Sequence, residues 1–151
     1  MSVRVGSPVT GRVVALSEVP DPVFSQAMVG PGVAVEPVRS KSDVVSPLDG
    51  TIVTLHPHAF VVASGEGAAV LVHLGIDTVK RKGEGFELHV VKGEEVRAGQ
   101  RIVTWDPAEV EAAGFAPICP VIALDASADV LGDLALDVDV AANDALFDWS
   151  R

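Results

Sequence analysis

Ser46-Pro47-Leu48-Asp49-Gly50-Thr51-Ile52-Val53-Thr54-Leu55 repeats, 39 residues later, the pattern of Ser7-Pro8-Val9-Thr10-Gly11-Arg12-Val13-Val14-Ala15-Leu16. The leading Ser-Pro, the Gly, the Val and the final Leu coincide, and Ile52 answers Val13. Each copy reads as a turn followed by a strand. Proline fixes φ at the turn, glycine accepts turn conformations closed to other residues, and a stiff apolar run follows. A third unit, Gly93-Glu94-Glu95-Val96-Arg97-Ala98-Gly99-Gln100-Arg101-Ile102-Val103, alternates turn and strand residues in the same way. The fold is therefore read as all-β. The expectation is a compact antiparallel β-sandwich or barrel-sandwich, built from a duplicated β motif with one or two short helices. A single domain is expected over residues 1–151.

Outward from the repeat the composition agrees. The chain of 151 residues holds 28 valines, punctuated by 14 glycines and 10 prolines. β-Branched residues separated by turn formers favour many short strands. Strands are placed near 10–16, 32–37, 51–56, 58–63, 69–74, 86–91, 101–105, 119–123 and 145–149. Residues 107–113 read as a short helix, with Pro107 in its first turn and Gly114 after its end. A further turn or two is expected near 126–132. The last 27 residues carry seven aspartates and one arginine and read as a solvated acidic face.

Charge and cysteine content remove whole function classes. The net charge is −10, so the basic footprint of a nucleic-acid binder is missing. No stretch approaches the roughly 20 apolar residues of a membrane helix. Residues 1–5 show no signal-peptide core, and Met1–Gly6 is read as too short for an amphipathic membrane anchor. One cysteine, Cys119, cannot form an internal disulfide or a multi-cysteine metal knuckle. A cytoplasmic protein is expected.

Four histidines remain as chemistry: His56, His58, His73 and His89. Residues 59–63 and 69–72 are adjacent strand candidates. A two-residue loop at Gly65-Glu66 would suit a type II′ turn. That register sets Val62 opposite Ala69, Phe60 opposite Leu71, and His58 opposite His73, on one face. His56 would join them if the chain stays extended through Pro57. A facing pair of imidazoles allows two chemistries. One ring can accept a phosphoryl group while the other hydrogen-bonds its oxygens. Alternatively, His56, His58, His73 and Asp77 could bind a hydrolytic zinc. His89 has no identifiable partner and reads as a surface residue.

The run Leu71-Val72-His73-Leu74-Gly75-Ile76-Asp77-Thr78-Val79, followed by Lys82-Gly83-Glu84-Gly85-Phe86, resembles the glucose-type enzyme IIA of the bacterial phosphoenolpyruvate:sugar phosphotransferase system. Pro20 to Ser25, Met28 to Ala34, Ser46 to Gly50, His58-Ala59-Phe60 and Gly99-Gln100 agree in order. The resemblance covers about residues 6–123. It implies a phosphocarrier, a transferase component without small-molecule turnover of its own. His73 would take the phosphoryl group from phospho-HPr on Nε2, with Nδ1–H held by the Gly75 carbonyl. His58 would stabilise the group before its transfer to the cysteine of a sugar-specific IIB domain of glucose or N-acetylglucosamine type. Asp21, Phe24, Met28, Val29, Phe60, Leu71, Asp77 and Val79 would form the partner-binding rim. Regulatory protein targets, held more tightly by the unphosphorylated form, are a further expectation. No cofactor is required by this reading, although zinc could bind at His58 and His73. The family usually has Thr two residues before the supporting histidine. Here that position is His56, a candidate partner of His58.

The zinc alternative resembles LytM-type peptidases, which also use H-x-x-x-D and H-x-H. Their order is the reverse of the one here. A lipoyl or biotinyl carrier is disfavoured because no lysine sits in an M-K-M or D-K-A hairpin motif.

Overall fold

Ser7 and Ser46 are both fully buried, and each donates its hydroxyl to the carbonyl two residues on. Ser7 Oγ reaches Val9 O at 2.5 Å, and Ser46 Oγ reaches Leu48 O at 2.7 Å. The two turns also clasp one another: the Gly6 amide bonds Pro47 O at 2.8 Å and the Val45 amide bonds Pro8 O at 2.9 Å. The sequence repeat is thus a structural repeat, joined at its two Ser-Pro turns.

The computed structural model describes residues 2–132 and 134–150. In chain order its strands are β1 Ser2–Gly6, β2 Gly11–Ala15, β3 Gly32–Pro37, β4 Ser42–Val45, β5 Gly50–His56, β6 Ala59–Ala63 and β7 Ala69–His73. There follow β8 Glu87–Leu88, β9 Glu95–Val96, β10 Arg101–Trp105, β11 Cys119–Ala123, β12 Leu131–Gly132, β13 Asp139–Val140 and β14 Ala145–Ser150. Two α-helices, α1 Pro22–Ser25 and α2 Pro107–Ala112, interrupt them. α2 begins as anticipated, with Pro107 in its first turn and the Asp106 side chain accepting from the Ala108 amide at 3.0 Å. The sequence reading missed α1, β1, β4, β9, β12 and β13, and its strand at 86–91 shrinks to Glu87–Leu88. Two- to five-residue elements carry too little periodic signal to stand out.

An antiparallel sheet in the order β13-β2-β3-β11-β7-β6-β5-β9 faces two three-stranded sheets, β1-β14-β12 and β4-β10-β8. None closes into a barrel, and the arrangement is a sandwich. Alternate residues of the large sheet, among them Val13, Val35, Ile52, Phe60, Val62, Val72 and Val121, meet Val5, Val44, Ile102, Trp105, Phe147 and Trp149 in the main core. Burying each such side chain contributes about 1.5–3 kcal/mol. The acidic C-terminal stretch is more than a solvated face, because β14 inserts Leu146, Phe147 and Trp149 into this core. Asp148 alone lies between those apolar residues. Among the described residues, no helix is long and apolar enough to cross a membrane.

Candidate functional site: an imidazole pair on the outer sheet face

β7 sorts its side chains by parity. Val70 and Val72 are fully buried in the main core, while Leu71 and His73 face the other side of the sheet. On that side the chain from Leu16 to Pro31 folds over. Leu16, Val19, Phe24, Ala34, Ile76, Ile118 and Ile122 form a second apolar cluster there. α1 is held in this excursion by Asp21, whose carboxylate accepts from the Val23 amide at 2.9 Å, with Pro22 at the first helical position.

The expected hairpin register is corrected by one residue. Ser64 pairs across to Ala68, its amide bonding Ala68 O at 2.7 Å, and the loop is the three residues Gly65-Glu66-Gly67. Gly67 has φ +88, as a three-residue loop ending in a left-handed residue requires. Ala59 therefore faces His73, Val61 faces Leu71, and Phe60 faces Val72. A one-residue slip exchanges the two faces. Phe60 leaves the expected rim and lies in the main core, 1% exposed.

The two histidines nevertheless meet, for a different reason. The chain does not stay extended through Pro57. Pro57-His58 is a two-residue turn between β5 and β6, with His56 paired to Ala59. The turn tips His58 towards the end of β7, where its carbonyl accepts from the Leu74 amide at 2.7 Å. The His58 and His73 ring centroids are 5.2 Å apart, at an interplanar angle of 73°. His56 shares the face through its pairing with Ala59, and its ring stacks on His58 at 5.7 Å and 27°. Phe24 closes the other side of His73, with ring centroids 5.2 Å apart.

His73 Nδ1 lies 2.5 Å from the Gly75 carbonyl oxygen. A carbonyl can only accept, so Nδ1 carries the hydrogen and Nε2 keeps its lone pair. Burial pushes the His73 pKa down, opposed by the Gly75 carbonyl and by the charges of Asp21 and Asp77. His58 is pushed down to about 4, first by burial, then by repulsion from His73 and His56. Both rings are thus held neutral at neutral pH. A neutral ring with a free Nε2 is a nucleophile, and a neighbouring ring can donate to what it captures.

Around the pair the rim is apolar and open. Met28 is 67% exposed and Val79 60%. Val29 and Val23 are exposed beside them, Val23 having escaped the sequence reading. Phe24 is largely covered, and Leu71 is half-buried against the second cluster. Asp77 is exposed, in a left-handed conformation with φ +61. His89 is corrected: it lies away from this pair, its Nε2 2.7 Å from Thr104 Oγ1, which in turn donates to Asp43 at 2.6 Å. Among the described residues no group of three or more His, Cys, Asp or Glu is arranged to hold a metal. His56, His58, His73 and Asp77 do not form such a group.

The model of the family described as phosphoenolpyruvate-dependent sugar phosphotransferase system, EIIA 1, matches residues 3–128. The chain belongs to this family. A glucose-specific EIIA component of Oceanobacillus iheyensis is 42% identical over 122 residues, covering 80% of this chain and 73% of the relative. A glucose-specific EIIBCA component of Corynebacterium glutamicum is 37% identical over 141 residues, 91% of this chain but 21% of that longer protein. The solved structure of glucose permease IIA from Mycoplasma capricolum superposes with a TM-score of 0.88 at 30% identity, covering 98% of this chain and 96% of the other. The EIIA fold is thus the one this chain adopts, and the phosphotransfer role of the family applies to it. In relatives named EIIBCA or EIICBA, matching sequence sits in one polypeptide with IIB and IIC parts.

Proposed function

We infer that this EIIA protein is a glucose-type phosphocarrier whose phosphoryl acceptor is His73 Nε2. The observation that carries the reading is the Nδ1–H bond to Gly75 O, which frees Nε2 beside a second neutral imidazole. Nε2 attacks the phosphorus of a phosphohistidine on HPr. The new N–P bond forms as the old one breaks, and the donor ring leaves with the bonding pair. Because Nδ1 keeps its proton, the phosphorylated ring carries a positive charge, which the Gly75 carbonyl, Asp21 and Asp77 offset. His58 donates to the phosphoryl oxygens and favours onward transfer to the cysteine of a sugar-specific IIB domain. The chemistry asked of the protein is positioning and charge stabilisation.

The exposed rim of Val23, Met28, Val29 and Val79 is the docking face in this reading. Asp21 and Asp77 would meet basic side chains of HPr and IIB and speed encounter. The reaction is placed in the cytoplasm. Phosphate charge on His73 would weaken docking of regulatory targets that seat on the same apolar rim. A zinc ion at this face would find two imidazoles, His58 and His73, and would need further ligands from a partner.

The test is incubation with phosphoenolpyruvate, enzyme I and HPr, with acid-labile phosphate mapped by mass spectrometry. Label on His73 is expected. Label on another residue, or none with matched partners, overturns the reading.

A further inference from the structure

β7 ends at His73, so strand pairing does not explain why the next turn aims a carbonyl back at that ring. Gly75 sits at φ +82 and, having no Cβ, is the residue best able to swing that carbonyl elsewhere. Two peptide planes meet at Gly75, and the structure clamps both. In the plane after it, the Ile76 amide bonds Ala116 O at 2.9 Å. N–H and C=O point oppositely across a trans peptide, so this bond and the Gly75 carbonyl's bond to His73 are two ends of one plane.

The plane before Gly75 is fixed by Thr78. Its side chain is fully buried, and its hydroxyl donates to Leu74 O at 2.7 Å. Its methyl carbon lies 2.7 Å from the point a Cβ on Gly75 would occupy, and so fills the space the glycine leaves. The Leu74 amide is bonded to His58 O, and the Gly75 amide faces the sulfur of the fully buried Cys119. The two carbonyls of Leu74–Gly75 are thus each met by a side chain, Leu74 O by the Thr78 hydroxyl and Gly75 O by His73.

We propose that Thr78 is a positioning residue for phosphoryl transfer: its hydroxyl fixes the Leu74–Gly75 peptide so that the Gly75 carbonyl holds His73 in the Nδ1–H form. The proposal rests on the acceptor role given to His73. Thr78 never touches the phosphoryl group. It acts through the tautomer of another side chain.

The experiment compares Thr78→Val, which keeps the shape and loses the hydroxyl, with Thr78→Ser, which keeps the hydroxyl. Long-range 1H–15N spectra of histidine-labelled protein at neutral pH report the His73 tautomer. Quench-flow reports the rate of phosphoryl acceptance from phospho-HPr. Thr78→Val is expected to move His73 towards the Nε2–H form and to slow acceptance about tenfold or more, the scale on which small misplacements act. Thr78→Ser should keep the wild-type tautomer and stay within about threefold in rate. A Thr78→Val protein with wild-type tautomer and rate overturns the proposal, even if it melts earlier. Should Thr78→Val not fold, Thr78→Ala, which also lacks the hydroxyl, decides. Partial movement towards Nε2–H supports the clamp, and an unmoved tautomer sinks it. If wild-type protein takes no phosphate while Thr78→Val still shifts the tautomer, the carrier reading fails and only the hold of Thr78 on the His73 tautomer stands.

Discussion

The two halves of the large sheet share a pairing scheme but differ in what joins their strands. Val72 of β7 pairs with Val121 of β11, and the strands on either side repeat outward from that pair: β3 and β6, β2 and β5, β13 and β9. Gly11 pairs with Val140 as Gly50 pairs with Val96. The Ala142 amide bonds Thr10 Oγ1 as the Ala98 amide bonds Asp49 Oδ1. Following the ladders, Ile122 occupies in one half the place His73 has in the other, and Pro31 the place of His58. The Ala123 amide bonds Pro31 O at 2.8 Å where the Leu74 amide bonds His58 O at 2.7 Å. The difference lies in the connections. β5 and β6 are joined by Pro57-His58 alone, whereas β2 and β3 are joined by the whole stretch Leu16 to Pro31. That excursion brings Phe24 and Asp21 to the imidazoles of the opposite half. The repeated parts build the sandwich, and the unrepeated parts build the chemistry.

Substitution at the matched positions breaks the comparison most sharply. His73→Gln should abolish phosphoryl acceptance altogether, read as loss of acid-labile phosphate. At the mirror position, Ile122→Val should leave the transfer rate nearly unchanged and cost about 0.5–1.5 kcal/mol in denaturant melts. His58→Gln should still be phosphorylated, while onward transfer to IIB slows by about 10²–10³. Equal slowing of both steps would mean that His58 acts on His73 itself and not on the bound phosphoryl group. The repeat glycines predict the converse. A Cβ on Gly11 would lie 2.2 Å from Glu36 O, and one on Gly50 2.3 Å from Ala63 O. Gly11→Ala and Gly50→Ala should therefore each destabilise by about 1–3 kcal/mol, by similar amounts. The folded fraction of each should keep its transfer activity. A large inequality between the two melts would show that the halves do not bear the load alike.

How much of this was legible in the sequence follows the same division. The repeat of Ser-Pro and Gly was readable because a buried hydroxyl turn and a close backbone approach each demand one residue type, and the demand occurs twice. His73 and His58 were readable as a pair, yet through a register that the structure shifts by one. Gly67, not the choice between two-residue turns, decides that hairpin, and periodicity alone does not reveal a left-handed residue. Phe60 was misplaced by the same slip. α1 has four residues and its signal is one cap, Asp21-Pro22, so the helix itself was missed and only the family resemblance brought Asp21 and Phe24 to the rim of His73. Thr78 has a buried hydroxyl between the exposed Asp77 and Val79. A polar residue that is wholly inside must have a partner, which could have marked it earlier. The partner itself, Leu74 O, needs the turn's geometry.

Acid sensitivity gives the finest test, because one half carries a titrating ring where the other carries Pro31. His58 falls from the ordinary 6.5 to about 4, through burial first and then the neighbouring imidazoles. Between those values the unfolded chain binds more protons than the folded one, so stability rises with pH across that window and is lost on acidification through it. The ring is half-buried and solvent screens it, so the contribution is about 1 kcal/mol or less. Carboxylates titrate in the same range but are common to every variant. The measurement is the difference in melting between pH 4 and pH 6.5. Wild type should lose more across this interval than His58→Gln. His56→Thr should fall between them, because removing one like charge relieves part of the depression while burial remains. Identical slopes in all three proteins would place the acid sensitivity elsewhere and leave the His56–His58 stack as a packing contact without electrostatic consequence.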